Sequence, residues 1–125
     1  MDEEEIGKLI VDRSLKVHRE LGPGLLESTY EACLIYELNN IGLKVESQKP
    51  LPVVYKDVKL ECGYRIDLMI EKKVIIEVKS VEALNDVHLA QILTNLKLSG
   101  CKLGFLINFN VRLIKNGFER VVMTL

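Results

Sequence analysis

The chain has 125 residues, 48% of them hydrophobic and 28% charged, with 3 Pro and 8 Gly. That is enough apolar material for one core and too little chain for two independent ones, and it excludes a disordered or collagen-like polymer. A formal net charge of -1 excludes a globally basic nucleic-acid coat, so any contact with a polyanion must come from a local patch.

The acidic opening Met1-Asp2-Glu3-Glu4-Glu5 lacks the positive n-region of a signal peptide, and no apolar run approaches the ~20 residues of a membrane span. A cytoplasmic protein with no membrane partner is expected. Three cysteines, Cys33, Cys62 and Cys101, form no C-x-x-C pair, which argues against a disulfide framework or a zinc finger. They read as small buried apolar residues.

In chain order, Ile6, Leu9, Ile10, Val17 and Leu21 recur at helical spacing and predict an amphipathic helix over 3–21, stopped by Gly22-Pro23-Gly24. A second helix is predicted from 25–27 to Gly42, with Leu26, Tyr30, Cys33, Leu34, Leu38 and Ile41 inward. Stretches rich in β-branched and aromatic residues at 43–46, 51–55, 58–70 and 74–81 then predict strands, with Lys56-Asp57 and 71–73 as hairpin turns. A third helix is expected from Asn85 or Asp86 to Ser99, burying Val87, Leu89, Ile92, Leu93 and Leu96 and ending at Gly100. Strands at 103–109, 111–114 and 118–124 follow, the last two joined by an Asn116-Gly117 turn. The whole is one mixed α/β domain over residues 1–125, built around one sheet.

The segment 74–81 is almost continuously apolar, as a central strand should be, yet Glu77 and Lys79 interrupt it. Two residues apart, they share a face of the strand. Burying these charges costs several kcal/mol unless they are paired or bind an ion. Asp67, on the preceding strand, is the candidate neighbour. A three-residue turn at 71–73 pairs Ile70 with Val74 and sets Asp67 across from Glu77, whereas a two-residue turn sends them to opposite faces. Two adjacent carboxylates favour a hard divalent cation.

Asp67 followed on the next strand by Glu77-Val78-Lys79 resembles the PD-(D/E)-x-K signature of the restriction-endonuclease-like nucleases. Gly24-Leu25-Leu26-Glu27-Ser28-Thr29-Tyr30 matches the G-x-x-E-x-x-Y sequence of the GxxExxY protein family, a small-domain branch of that superfamily. His88-Leu89-Ala90-Gln91 and 103–109 extend the likeness over 6–122. The resemblance implies an α/β (α+β) fold with a restriction-endonuclease-like αβββαβ core, a mixed sheet flanked by helices, an extra N-terminal helix and a C-terminal hairpin. It implies Mg²⁺ or Mn²⁺ held by Asp67, Glu77 and the Val78 carbonyl, with Glu27 joining directly or through water. Glu27, Asp67, Glu77, Lys79 and Gln91 are the implied catalytic set. Lys79 would orient or deprotonate a water, and Gln91 would position that water or contact phosphate. In related nucleases Q-x-x-x-Y often stands on the third helix; here Asn95 replaces the tyrosine.

The implied activity is metal-dependent hydrolysis of phosphodiester bonds in nucleic acid, DNA rather than RNA, with a homodimer as the route to cutting both strands. A catalytically inactive nuclease-fold module binding nucleic acid or protein is the alternative, and a purely structural ion cluster is a third reading. Each candidate also has an ordinary explanation. Glu27 suits the first turn of a helix, Glu77 and Lys79 could pair on a half-solvated face, and Gln91 could lie on a helix surface. His18 and His88 lack ligand-spaced partners and read as packing or surface residues, Tyr30 as core. Charge is divided along the chain: 10 acidic and 5 basic residues lie in 1–46, against 8 acidic and 12 basic in 47–125. The basic half carries the candidate site.

Overall fold

Asp2 accepts the Glu5 backbone N–H while Glu5 reaches back to Asp2, and this capping box starts α1 (Glu3–Leu21). The computed structural model describes residues 1–124. After α1 come α2 (Glu27–Asn40), β1 (Val45–Pro50), β2 (Val53–Tyr55), β3 (Val58–Leu60), β4 (Arg65–Ile70) and β5 (Val74–Lys79). The chain ends with α3 (Asp86–Ser99), β6 (Leu103–Asn108), a 3₁₀ turn (Ile114–Gly117) and β7 (Phe118–Val122). Among the described residues, no helix is long and apolar enough to cross a membrane.

Five strands form one sheet in the order β1-β4-β5-β6-β7. Among the described residues only β5 and β6 run parallel, because α3 carries the chain back between them; the other neighbours in this sheet are antiparallel. Alternation along the strands then builds two cores. Val74, Ile76 and Val78 of β5 pack with Ile6, Ile10, Tyr30, Leu34 and Leu38 of α1 and α2. On the opposite face, Ile75, Met69 and Leu106 pack with Ile92 and Leu96 of α3. Gly104 gives α3 its close approach, since a Cβ there would crowd Ile75 and Ile92 at 3.1 Å. By the same alternation Asp67, Glu77 and Lys79 lie on the α3 side.

Several expectations are corrected. The 58–70 stretch is not one strand: β3 pairs with β2 in a separate two-stranded ribbon, and the chain turns at Gly63, φ 72, before β4 begins. A one-sheet architecture therefore becomes a five-stranded sheet plus a ribbon. Lys56 and Asp57 both take positive φ, 49 and 66, the conformation a two-residue hairpin turn demands. The expected strand at 111–114 is absent; the chain bends into the 3₁₀ turn, and the C-terminal hairpin is β6 with β7. Gly117 is required there, because a Cβ would collide with the Asn108 carbonyl oxygen.

Leu26 and Ile41 stand at the helix caps rather than inside and remain exposed. Val87, Leu89 and Leu93 are also exposed, since α3 buries a narrower stripe of Ile92, Asn95 and Leu96. Cys101 is buried, but Cys33 is half-buried and Cys62 exposed.

Candidate functional site

The β4–β5 register pairs Ile70 with Val74, Met69 with Ile75 and Leu68 with Ile76. The connecting turn is thus three residues long, and Glu71 and Lys72 supply its left-handed φ of 53 and 57. One step further along, Asp67 meets Glu77. The Asp67 backbone N–H donates to Glu77 Oε2 at 3.2 Å, and the Val78 N–H donates to Asp67 Oδ2 at 2.9 Å. These bonds hold two carboxylates side by side where the ladder would otherwise close.

Both carboxyls resist ionisation. Glu77 is 6% exposed, and burial, then the Asp67 charge, push its pKa up to about 8 against opposing pulls from the Asp67 N–H, Lys79 and Asn95. Burial also raises Asp67, with Glu27 adding to it, while the Val78 N–H, Lys79 and Gln48 favour the charged form. Lys79 is half-buried and donates from Nζ to Gln91 Oε1 at 3.3 Å. Asp67, Glu77, Lys79 and Gln91 line one open pocket of about 280 Å³, together with Gly63, Tyr64, Arg65 and Asn95.

Glu27 reaches a neighbouring point. From the first turn of α2 its carboxylate accepts the Ser80 N–H at 3.2 Å, just beyond the end of β5. It does not line the pocket, and no three His, Cys, Asp or Glu side chains among the described residues gather around one point suited to a cation. The rest of G-x-x-E-x-x-Y builds the approach of α2. Tyr30, fully buried, donates from its hydroxyl to the Gly22 carbonyl at 2.6 Å and accepts the Leu25 N–H at 3.1 Å. Its ring stacks on Phe109 at 4.7 Å. Ser80 Oγ donates to the Leu25 carbonyl at 2.6 Å, tying that corner to the end of β5. His18 serves packing, with Nε2 at 2.7 Å from the Val111 carbonyl, and His88 belongs to the α3 capping box.

Four contributors escaped the sequence reading. Gln48 sits mid-strand at φ 50 and bridges Glu31 Oε1 at 2.9 Å and Asp67 Oδ1 at 3.4 Å. Nothing in a strand pattern marks such a residue. Glu31 lies one turn after Glu27, and this i,i+4 spacing was the available signal; burial raises its pKa. Asn108 bridges the backbone of Val81 through both ends of its amide. Tyr64 brings a phenol to the pocket from the loop before β4, its pKa raised by burial and by Glu77.

A model of the PD-(D/E)XK nuclease superfamily matches residues 4–121. The chain belongs to the PD-(D/E)XK nuclease superfamily. No curated protein and no solved structure matches it. The three helices and mixed five-stranded sheet are the restriction-endonuclease-like fold, and the Asp67 and Glu77-Val78-Lys79 positions lie within the matched span. PD-(D/E)XK nucleases generally use divalent metals and act on nucleic acid. The GxxExxY branch rests on the resemblance of residues 24–30.

Proposed function

We propose that the chain is a divalent-metal-dependent nuclease that hydrolyses phosphodiester bonds, in DNA rather than RNA. The observation that carries this reading is the contact of the Asp67 and Glu77 strands, which forces two carboxyls to share a buried wall of an open pocket with Lys79. Two mutually repelling oxygen donors fit a hard dication, whose charge offsets the repulsion.

Asp67, Glu77 and the Val78 carbonyl would hold Mg²⁺ or Mn²⁺, with Glu27 contributing through water. Such a cation, when bound, stabilises charge on phosphate oxygens and acidifies a coordinated water. The chain's own groups supply the rest. Gln91 holds the Lys79 ammonium against the pocket, where it orients the attacking water and neutralises developing phosphate charge. Arg65, exposed on the pocket wall, is the phosphate contact that fixes the strand. One such site cuts one strand per encounter, so cleavage of a duplex requires a second copy or a second encounter. Action on cytoplasmic nucleic acid belongs to the same reading.

Cleavage of a mixed DNA and RNA panel with Mg²⁺ or Mn²⁺ tests it. Activity is expected in the wild type and lost with EDTA, in Glu77→Ala and in Lys79→Ala. Activity that persists in Glu77→Ala would show a contaminating nuclease. The inactive-module reading draws on one observation: the carboxylates already accept backbone N–H groups from each other's strands. Absence of saturable Mn²⁺ binding at the acidic cluster, measured by calorimetry, would favour it.

A further inference from the structure

Helix α3 is apolar on two sides. One side packs Ile92 and Leu96 against the sheet, as a surface helix should. The other is also poor in charge: Val87, Leu89, Ala90 and Leu93 are exposed, and the exposed charges of the helix are Asp86 in its first turn and Lys97 in its last. A surface helix ordinarily turns a charged face to water, whereas one that is apolar all round is buried. Among the described residues no element covers this outer side.

The order of residues on that side indicates what would cover it. Asp86, Ala90, Leu93 and Lys97 follow one another at spacings of four, three and four, which sets them in one row along the helix, the narrow seam by which helices pair. Read backwards, the row is complementary to itself. With a second α3 laid antiparallel across a two-fold axis beside Gln91 and Ile92, each Asp86 stands opposite the other copy's Lys97, and each Ala90 opposite a Leu93, small against large. A two-fold contact requires such reciprocity, residue i meeting j and j meeting i. A parallel pair would instead set Asp86 on Asp86 and Lys97 on Lys97, which like charges oppose. Among the described residues neither Asp86 nor Lys97 is in an ion pair, so both charges are available.

We infer that the outer row of α3 is a docking surface for a second copy of this chain, an antiparallel α3–α3 pair in which Asp86 and Lys97 form reciprocal ion pairs around a seam of Ala90 and Leu93. A seam one short helix long lies at the small end of protein interfaces, so the association is reversible and depends on concentration. Its use rests on the nuclease reading above: α3 also carries Gln91 into the acidic pocket, so the pair relates two pockets by one axis and supplies the second copy that cleavage of a duplex calls for. The association itself does not depend on that reading.

Sedimentation equilibrium of the whole chain over a wide concentration range tests the interface without recourse to cleavage. The wild type is expected to pass from monomer to dimer, and Leu93→Glu to stay monomeric. Asp86→Lys and Lys97→Glu each set like charges opposite one another and should weaken dimerisation by about tenfold. An equimolar mixture of these two variants should dimerise as the wild type does, because in the mixed pair opposite charges meet again at both ends. The charge variants carry the test if thermal unfolding shows that Leu93→Glu does not fold. A wild type that is monomeric throughout, or a dimer that all three variants leave intact, would overturn the interface. A mixture that dimerises no better than its components would overturn the antiparallel register. A wild-type dimer that responds as expected yet cleaves no nucleic acid would overturn the nuclease reading and leave the interface standing.

Discussion

Glu77 is a carboxyl whose native environment opposes its charge. Its folded pKa of about 8 lies above the ordinary 4.5, so between those values the metal-free native state keeps a proton that the unfolded chain has released. Stability must then fall as pH rises through that window and level off above it. In EDTA the melting temperature is expected to drop by several degrees between pH 5.5 and pH 8.5, and Glu77→Gln should flatten the profile; a pH-independent wild type would contradict the burial argument. Asp67, raised in the same direction, adds to the slope at its acidic end. Because cation binding needs the deprotonated carboxylates, Mn²⁺ affinity should climb with pH over the same range, with proton release measurable in buffers of different ionisation enthalpy.

Two elements behave differently because they are supported differently. The corner between α1 and α2 is fastened by one hydroxyl, that of Tyr30, which serves both the Gly22 carbonyl and the Leu25 N–H. Tyr30→Phe keeps the ring on Phe109 and strands those two backbone groups, so a loss of about 1–3 kcal/mol is expected in urea unfolding. The β2–β3 ribbon has no third strand, and Val54, Tyr55, Val58 and Leu60 are all exposed. An isolated two-stranded hairpin is marginal in water. Hydrogen exchange should therefore be much faster at 53–60 than in β4 and β5, and equal protection would show that the ribbon is covered in solution. The sequence pattern foresaw the hairpin turn at Lys56-Asp57 but merged β3 with β4, since alternation of residue types does not reveal where a strand changes sheet.

At the scale of the whole molecule the near-zero net charge conceals a division: the acidic excess lies in residues 1–46, and the basic excess in the part that forms most of the sheet and α3. Arg65 and Lys79 line the pocket, so phosphate contacts are to be expected there. DNA binding, measured by fluorescence anisotropy in Ca²⁺ to prevent turnover, should weaken as salt rises, with a log-log slope of about -2 to -4 for a few phosphate contacts. A slope near zero would remove the electrostatic basis of the nucleic-acid reading. A larger groove of about 480 Å³ lies between α1 and α2, lined in part by Val17, Leu21, Cys33 and Tyr36. Its other lining residues are Lys16, Glu20, Ala32 and Glu37, and the Glu37 carboxylate is paired with Arg13 and Lys16 rather than with a second carboxylate.

The sequence by itself determined the helices, the central apolar strand and the fact that Glu77 and Lys79 share a face, because these follow from local periodicity and from the parity of a strand. It also posed the meeting of Asp67 with Glu77 as a question of turn length, which the three-residue turn at 71–73 answers. Only the tertiary structure could place Gln48 against Glu31 and Asp67, bring Tyr64 to the pocket and set Glu27 at Ser80. Each of these depends on residues far apart in the chain whose contact is set by how α2 and α3 seat on the sheet, and local pattern carries no record of that seating.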